Sequence, residues 1–233
     1  MKFGITQAFQ CSYLPEQQEQ LLAAIPPPEG LLSQHYDLLI TLGFRRSGEQ
    51  VYRPHCATCQ ACQAIRLPVR AFSPSKSQKR LLKRNADLKL VLSKEDKAEY
   101  YELYERYINC RHADGSMFPA SIEQYRGFIL NPWQQQWFLE LWHDQVLIAV
   151  AVTDVVKNGL SALYTFFSPD YEQRSIGTYA ILQQISLAQQ HQLPYLYLGY
   201  QIDSCQKMNY KQNFLPHERF LHNNWHLITK KAG

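Results

Sequence analysis

The order of apolar segments in the second half of the chain most constrains the fold. Three β-rich runs follow one another, WFLELW, QVLIAVAVTDVV and LSALYTFF, and the turn-like pair His143-Asp144 separates the first two. The segment IGTYAILQQISLAQQHQ then predicts a helix, with Gly177 near its start. The apolar run YLYLGYQI after it has the length of a buried strand. Three strands, a helix and a further strand predict an α+β domain.

This order is also typical of an acetyltransferase-like (GNAT) catalytic core, which we expect over residues 73–233. Arg174-Ser175-Ile176-Gly177 is close to the loop with which acetyltransferases hold the pyrophosphate of coenzyme A through backbone amides. Tyr179 stands where that loop has a second small residue, and its ring would crowd a pyrophosphate. An ordinary loop-to-helix junction is the alternative for this motif.

Residues 1–72 are expected to form a cysteine-containing α/β region before this core. Up to about residue 35 the pattern is irregular, and Pro26–Pro28 would interrupt a helix. A short helix is predicted in HYDLLITLG, and strands around Gln50–Arg53 and in AIRLPVRAF. After Ser75, a plausible helix start, KSQKRLLKRN predicts a helix and KLVLS a strand. Two further helices are predicted, in KEDKAEYYELYERYINCRH and PASIEQYRGFIL.

Positive charge is concentrated in Gly43–Arg84. This segment holds ten of the 24 Lys and Arg residues and one acid, Glu49, so its net charge is +9 while the rest of the chain sums to −5. Five of its cations recur at three-to-four-residue spacing and would share one helix face: Lys76, Lys79, Arg80, Lys83 and Arg84. Like charges at that spacing repel unless an anion lies across them. The pattern favours an RNA contact, with a solvated surface helix as the alternative.

Three cysteines in the same segment have the spacing of a metal-binding loop. Cys56, Cys59 and Cys62 form C-x2-C-x2-C, which lets one loop wrap a zinc ion or part of an iron–sulfur cluster. Cys11 is the best candidate for a fourth ligand, with His55 as runner-up. The alternative is three reduced cysteines packed in a loop without metal.

The chain is expected to be cytoplasmic and to have no membrane partner. No apolar run approaches the roughly 20 residues that span a bilayer, and MKFGITQAFQCSY lacks the apolar core of a secretory signal. Closely spaced cysteines without an export signal indicate a reducing compartment.

Several motifs in a fixed order extend over nearly the whole chain. They are CSYLP, GFRRSG, YRPHCATCQAC, FSPSKSQKR, FFSPDY, SIGTY and GYQIDSCQKMNYK. In this combination the chain resembles the arginyl-tRNA–protein transferase family, and its compact length is similar to that of the bacterial branch. The resemblance implies an enzyme that moves leucine from leucyl-tRNA to the N-terminal Asp or Glu of a protein, which marks that protein for N-degron degradation. It also implies a GNAT-like catalytic core.

The implied reaction needs no cofactor, because an aminoacyl ester becomes an amide. The acceptor amine, with a pKa of about 7.7–8.0, is partly neutral at pH 7. Positioning of the amine and stabilisation of the tetrahedral oxyanion should therefore supply most of the catalysis. Two alternatives from other classes are a coenzyme A-dependent N-acetyltransferase and a non-enzymatic metal-binding RNA module.

Under this resemblance, cations should bind the two substrates. The candidates for the acceptor carboxylate are Arg45, Arg46 and Arg53. The candidates for the tRNA phosphates are Lys76, Lys79, Arg80, Lys83 and Lys211.

Aromatic residues and one further lysine complete the expected site. The leucyl side chain would occupy a slot lined by Tyr164, Phe166 and Phe167. The residues expected to orient the ester or move a proton are Tyr200, Tyr210 and Lys207. Ordinary core packing is the alternative for each aromatic residue, and Cys205 as a covalent nucleophile is a further alternative.

Overall fold

The computed structural model describes residues 1–113, 115 and 117–230, which form an α+β fold. The helices in these residues are α1 (Ser33–Thr41), α2 (Lys76–Arg84), α3 (Ala98–Arg111), α4 (Ile122–Ile129) and α5 (Ile176–Gln190), with short 3₁₀ segments at Pro169–Arg174 and Asn209–Asn213. The strands are β1 (Lys2–Ile5), β2 (Phe9–Gln10), β3 (Gln18–Glu19), β4 (Leu21–Ile25), β5 (Arg45–Ser47), β6 (Gln50–Pro54), β7 (Gln63–Pro68), β8 (Lys89–Ser93), β9 (Gln136–His143), β10 (Val146–Val156), β11 (Gly159–Phe167), β12 (Tyr195–Gln201), β13 (His217–Leu221) and β14 (Asn224–Ile228). The predicted α+β class is confirmed.

The large sheet contains eight strands in the order β14-β13-β7-β12-β11-β10-β9-β8. Its neighbouring strands pair antiparallel except for β11 and β12, which are parallel and are connected through α5. A parallel pair needs such a crossover because the chain must return to the same end of the sheet before the second strand begins. A four-stranded sheet, β1-β4-β6-β5, and the β2-β3 ribbon belong to the first half of the chain.

Two helices cover opposite faces of the central strands of the large sheet. Ala180 of α5 packs against Ala151 of β10. Tyr104 of α3 meets the ring of Phe166 edge-on at 5.6 Å between centroids, and Phe166 pairs with Val150 across the sheet. Successive residues of a strand point to opposite faces, so α5 and α3 lie on opposite sides. This explains why β10 reads as a nearly continuous apolar run.

The predicted strands and helices of the second half and of residues 73–112 are confirmed, with shifted ends. The predicted helix at 94–112 begins only at Ala98, and the one at 119–130 begins at Ile122. Ser121 fixes the second start because its side chain accepts a hydrogen bond from the Gln124 backbone N–H. The predicted turn between β9 and β10 contains Asp144 and Gln145, both with positive φ.

The expectation of an irregular segment up to residue 35 was wrong. This segment contains β1 to β4, and β1 pairs antiparallel with β4 from Lys2↔Ile25 to Ile5↔Leu22. Most residues of β1 are exposed, so its sequence carries little of the apolar alternation that identifies a strand. The large sheet also includes β7 from the first half of the chain. The division at residue 72 stays a prediction. None of the helices in the described ranges is long and apolar enough to cross a membrane.

A buried ion pair joins the four-stranded sheet to the large sheet. Arg46 of β5 donates to both carboxylate oxygens of Asp154 on β10, at 2.8 Å from Nε and 2.6 Å from Nη2. Both side chains have an exposed fraction of 0%. Arg46 also donates to the backbone oxygens of Gly48 and Ile129. Removing either charge would leave the other buried without a counter-charge, which is costly.

We expect Asp154→Asn to lower the free energy of unfolding by roughly 3–5 kcal/mol, because Arg46 would stay buried with its charge uncompensated. The matched control is Asp170→Asn, which breaks the exposed pair with Arg106 and should cost at most about 1 kcal/mol. Urea unfolding of both variants measures the difference. Equal losses would contradict the role given to the buried pair.

Candidate functional site

The parallel strands β11 and β12 pair over only a short stretch. Their register runs from Gly159↔Tyr195 to Ser161↔Tyr197 and then stops. A bulge follows in β11: Thr153 of β10 pairs with Ala162 and Val152 pairs with Tyr164, so Leu163 between them has no partner. Beyond Ser161 and Tyr197, the backbone groups of β11 and β12 that face each other are therefore not paired, and the two strands leave an opening between them.

Arg45 of β5 occupies this opening. Its guanidinium donates to the carbonyl oxygen of Ala162 on β11 at 2.7 Å and to that of Tyr197 on β12 at 3.4 Å. Gly199 of β12 adopts φ +79°, and a Cβ there would lie 3.5 Å from Cζ of Arg45. The positive φ favours glycine at this position. Arg45 thus satisfies carbonyl groups that the diverging strands leave unpaired.

Arg45 and Arg46 do not lie where an acceptor carboxylate can reach them. Arg45 is 8% exposed, and the Arg46 side chain is fully buried against Asp154. Their N–H groups bind other parts of the protein. Because both side chains are buried, the predicted carboxylate role does not fit either residue. The local sequence around them gives no signal of this burial.

Arg53, the third predicted arginine, lines a cavity of about 550 Å³ together with His55, the cysteine loop and Tyr200. One of its N–H groups donates to the Leu42 carbonyl oxygen at 3.2 Å, and its guanidinium lies 5.2 Å from the ring centroid of Phe44. The side chain is only partly buried. Arg53 is thus held in place and still borders open space.

Three of the predicted cysteines, Cys56, Cys59 and Cys62, line this cavity, and Cys11 lies near Cys62. Burial, together with the neighbouring Cys11, Cys56, Glu19 and Cys59, raises the pKa of the Cys62 thiol to about 12. Cys62 is therefore a neutral thiol at pH 7. No group of three His, Cys, Asp or Glu side chains within the described residues has the arrangement that a metal ion needs. The structure does not support the predicted zinc or iron–sulfur site.

Lys211 lies in the protein interior beside Tyr200. It is 5% exposed, and its Nζ donates to the Tyr200 carbonyl oxygen at 2.6 Å. Burial and the nearby Arg45 charge lower the pKa of Lys211 to about 7. The prediction that Lys211 contacts tRNA phosphates does not fit this position, because a phosphate cannot approach a lysine that the fold encloses.

The remaining predicted catalytic residues differ in their surroundings. The Tyr200 hydroxyl lies 3.1 Å from the Gly43 carbonyl oxygen and 3.2 Å from that of Tyr52, and burial raises the pKa of Tyr200 well above its ordinary value. A hydroxyl that is buried and donates to backbone is unsuited to moving protons. Tyr210 and Lys207 are exposed. Lys211 lies between Tyr200 and Tyr210, with its Nζ 5.2 Å from the Tyr210 ring centroid.

The basic helix forms as predicted. Ser75 caps α2: its hydroxyl accepts from the Gln78 backbone N–H, and the Gln78 side chain accepts from the Ser75 backbone N–H. Gln78 and Leu81 are buried on the inner face. The predicted tRNA-binding cations on α2 are all exposed, and within the described residues none of them forms an ion pair: Lys76, Lys79, Arg80 and Lys83.

The predicted leucine-pocket residues separate into core and border positions. Phe166 is fully buried, with its ring against Tyr104 and Tyr125, so it belongs to the core. Phe167 is also buried. Tyr164 is partly exposed, and its ring lies 5.2 Å from that of Phe128. Tyr164 alone of the three lies at the border of the core.

The sequence interpretation missed the role of Gly199. A glycine inside the apolar run YLYLGYQI is a recognised signal for a bulge or a close approach of another group. Here it marks the register shift between Tyr197 and Tyr200 and the place where Arg45 enters. No comparable local signal identifies Asp154 as the partner of Arg46, since they lie 108 positions apart.

Comparison with known proteins adds independent information. The family model described as "Arginine-tRNA-protein transferase, N terminus" matches residues 9–80, and the model for the C terminus of that family matches residues 99–221. The aspartate/glutamate leucyltransferase of Pseudoalteromonas atlantica is 58% identical over 99% of both chains. The protein of that name from Aeromonas salmonicida is 51% identical over 99% of this chain and 97% of its own length. The solved structure of L-PGS from Bacillus licheniformis aligns with a TM-score of 0.41 and 11% identity, over 72% of this chain and 50% of that one.

The pKa of Lys211 makes stability depend on pH. Its folded value of about 7 lies below the unfolded value of about 10.4, so above pH 7 the unfolded chain binds more protons and stability rises with pH. The Met side chain of Lys211→Met cannot titrate. We therefore expect the free energy of unfolding of this variant, relative to the wild type, to be higher at pH 6 than at pH 9. Between pH 7 and pH 9 the wild-type protein should gain roughly 2 kcal/mol relative to the variant. Thermal unfolding across this range measures it.

The control is Lys79→Met, which removes an exposed lysine of α2. Its stability relative to the wild type should not change over the same pH range. A Lys211→Met difference that is equally independent of pH would show that Lys211 stays charged in the folded protein.

Proposed function

The chain belongs to the arginine-tRNA–protein transferase family, and from this premise we propose that it transfers leucine from leucyl-tRNA to the N-terminal Asp or Glu of a protein. It is an enzyme, an aminoacyltransferase that forms a peptide bond. The observation that carries the proposal is 58% identity over 99% of both chains with an aspartate/glutamate leucyltransferase. Leucyl-tRNA is a cytoplasmic molecule, so the proposal includes a cytoplasmic location.

We further propose that the core is acetyltransferase-like. The supporting features are the antiparallel strands β9 to β11, the crossover through α5 and the parallel strand β12 that separates from β11 after Ser161. Tyr179 lies next to the start of α5, and its hydroxyl donates to the Asn85 carbonyl oxygen at the end of α2. The position that would crowd a pyrophosphate thus joins α5 to the basic helix.

The acceptor N-terminus is proposed to bind in the cavity beside the cysteine loop. Arg53 is the cation there that could receive the Asp or Glu carboxylate. Within this site Arg53 differs from the buried Arg45 and Arg46 because it borders open space. Its contact with the Phe44 ring and its bond to Leu42 hold the guanidinium in one orientation.

The tRNA is proposed to lie along the exposed face of α2. The cations there have no ion-pair partner among the residues that the structure describes, and mutual repulsion favours an anion across them. Phosphates that displace counterions from this face would make binding weaken with salt. The partly exposed Tyr164 is the proposed contact for the leucyl side chain.

The reaction requires attack of the acceptor amine nitrogen on the leucyl ester carbonyl carbon. The carbon–oxygen bond to the tRNA ribose breaks, the amide bond forms, and the proton that the amine nitrogen loses is balanced by the one that the ribose oxygen takes up. An amine with a pKa of about 7.7–8.0 supplies enough neutral nucleophile near pH 7. Holding amine and ester in contact is then the main contribution of the protein.

A transfer assay tests the function. Purified protein with radiolabelled leucyl-tRNA should label peptides that begin with Asp or Glu and leave a peptide that begins with Ala unlabelled. Heat-denatured protein is the control for spontaneous ester hydrolysis. Absence of label on both acidic peptides would refute the proposal, and acetylation of them from acetyl-coenzyme A would favour an acetyltransferase instead.

Arg53→Gln tests the acceptor site. A hydrogen bond to a charged group is worth roughly 1.5–3 kcal/mol, so we expect the KM for the Asp peptide to rise about tenfold or more and the KM for leucyl-tRNA to stay unchanged. Arg70→Gln, at an exposed position after β7, is the matched control and should leave both constants unaltered. Equal increases in both constants for Arg53→Gln would argue against carboxylate binding.

A further inference from the structure

A second cavity, of about 470 Å³, lies where the first turns of α2 and α5 meet the Asn209–Asn213 segment. Its volume is within the range of roughly 300–1,000 Å³ that small-molecule sites occupy. Its lining combines apolar surface with hydroxyl and amide side chains, namely those of Ser75, Ser77, Thr178, Gln78 and Asn213. Cavities that bind only apolar groups lack such a set of donors and acceptors.

The cavity also has an exposed aromatic ring. Tyr210 lines it and is 39% exposed, while Phe214 beside it is almost completely buried. An accessible ring gives a flat surface on which a nucleobase can stack. Aromatic residues that only fill the core do not keep this exposure.

The walls of the cavity are fixed to one another. The Gln78 amide nitrogen donates to the Asn213 carbonyl oxygen at 3.3 Å, and the Gln78 amide oxygen accepts from the Ser75 backbone N–H at 2.8 Å. One buried side chain therefore connects α2 to the segment that carries Tyr210. A site held in this way loses little entropy when it binds a ligand.

The position of the cavity relates it to both substrates. It lies at the beginning of α2, so a nucleic-acid chain that ended in it would have its preceding phosphates next to Lys76 and Lys79. On the other side, Tyr210 is followed by Lys211, whose Nζ binds the carbonyl oxygen of Tyr200. Tyr200 lines the cavity that contains Arg53. A group between the two cavities would therefore be near both the end of the nucleic acid and the acceptor.

We propose that this second cavity binds the 3′-terminal adenosine of the aminoacyl-tRNA, with the base stacked on Tyr210 and polar side chains around the ribose. The inference rests on the proposed function and specifies where the donor ends. The terminal ribose carries the leucyl ester, so this placement directs the ester toward the acceptor cavity.

The experiment compares uncharged tRNA that ends in CCA with the same tRNA lacking the terminal adenosine. For the wild-type protein we expect the Kd to rise about tenfold when the adenosine is removed, as stacking of one base on an aromatic ring would give. Tyr210→Ala should bind both RNAs equally, with a ratio near 1, whereas Tyr210→Phe should keep the wild-type ratio. Lys79→Glu should weaken both RNAs by the same factor and keep the ratio.

Thr178→Phe provides a second test that leaves Tyr210 in place. A ring added at this position would fill the cavity, so the ratio should again fall to about 1. Thermal unfolding of each variant confirms that it is folded, and Thr178→Phe decides the matter if Tyr210→Ala does not fold.

Two results would overturn the inference. One is a wild-type protein that does not distinguish the two RNAs, and the other is a Tyr210→Ala or Thr178→Phe variant that keeps the wild-type ratio. Either result together with normal leucine transfer would leave the proposed function intact. Absence of both tRNA binding and transfer would instead refute the proposed function and the inference with it.

Discussion

The packing of the four-stranded sheet on the large sheet depends on two adjacent arginines of β5, which form hydrogen bonds with different strands of the large sheet. Arg46 forms the buried pair with Asp154 on β10, and Arg45 donates to the carbonyl oxygens of Ala162 on β11 and Tyr197 on β12. Neighbouring residues of a strand point in opposite directions, so one short strand holds two parts of the large sheet. The four-stranded sheet is thereby fixed against the opening between β11 and β12.

This constraint also sets the electrostatics of the candidate site. The Arg45 side chain occupies the opening. Burial and the Arg45 charge together lower the pKa of Lys211. Lys211 in turn donates to the carbonyl oxygen of Tyr200, which lines one cavity. It directly follows Tyr210, which lines the other. The buried cations therefore organise the interior of the site. The partly buried Arg53 and the exposed cations of α2 stay accessible, which is why they are the proposed substrate contacts.

The sequence predicted the second half well because its signals are local. The apolar runs of β9 to β11 and the Ser75 cap of α2 depend on residues that are close in the chain. It failed for β1, whose residues are mostly exposed and lack alternation. It predicted a metal site from four cysteines, whereas within the described part of the chain their arrangement does not suit a metal ion.

By itself the sequence determined the basic face of α2, since helical periodicity places Lys76, Lys79 and Lys83 on one side wherever the helix packs. It also determined the family, through motifs spread over the whole chain. Only the tertiary structure decided which cations are free to bind a substrate. Arg46 and Lys211 read as surface charges in the sequence, but both are buried. For Arg46 the contact is with Asp154, 108 positions away. Burial arises from packing between distant segments, which no local pattern encodes.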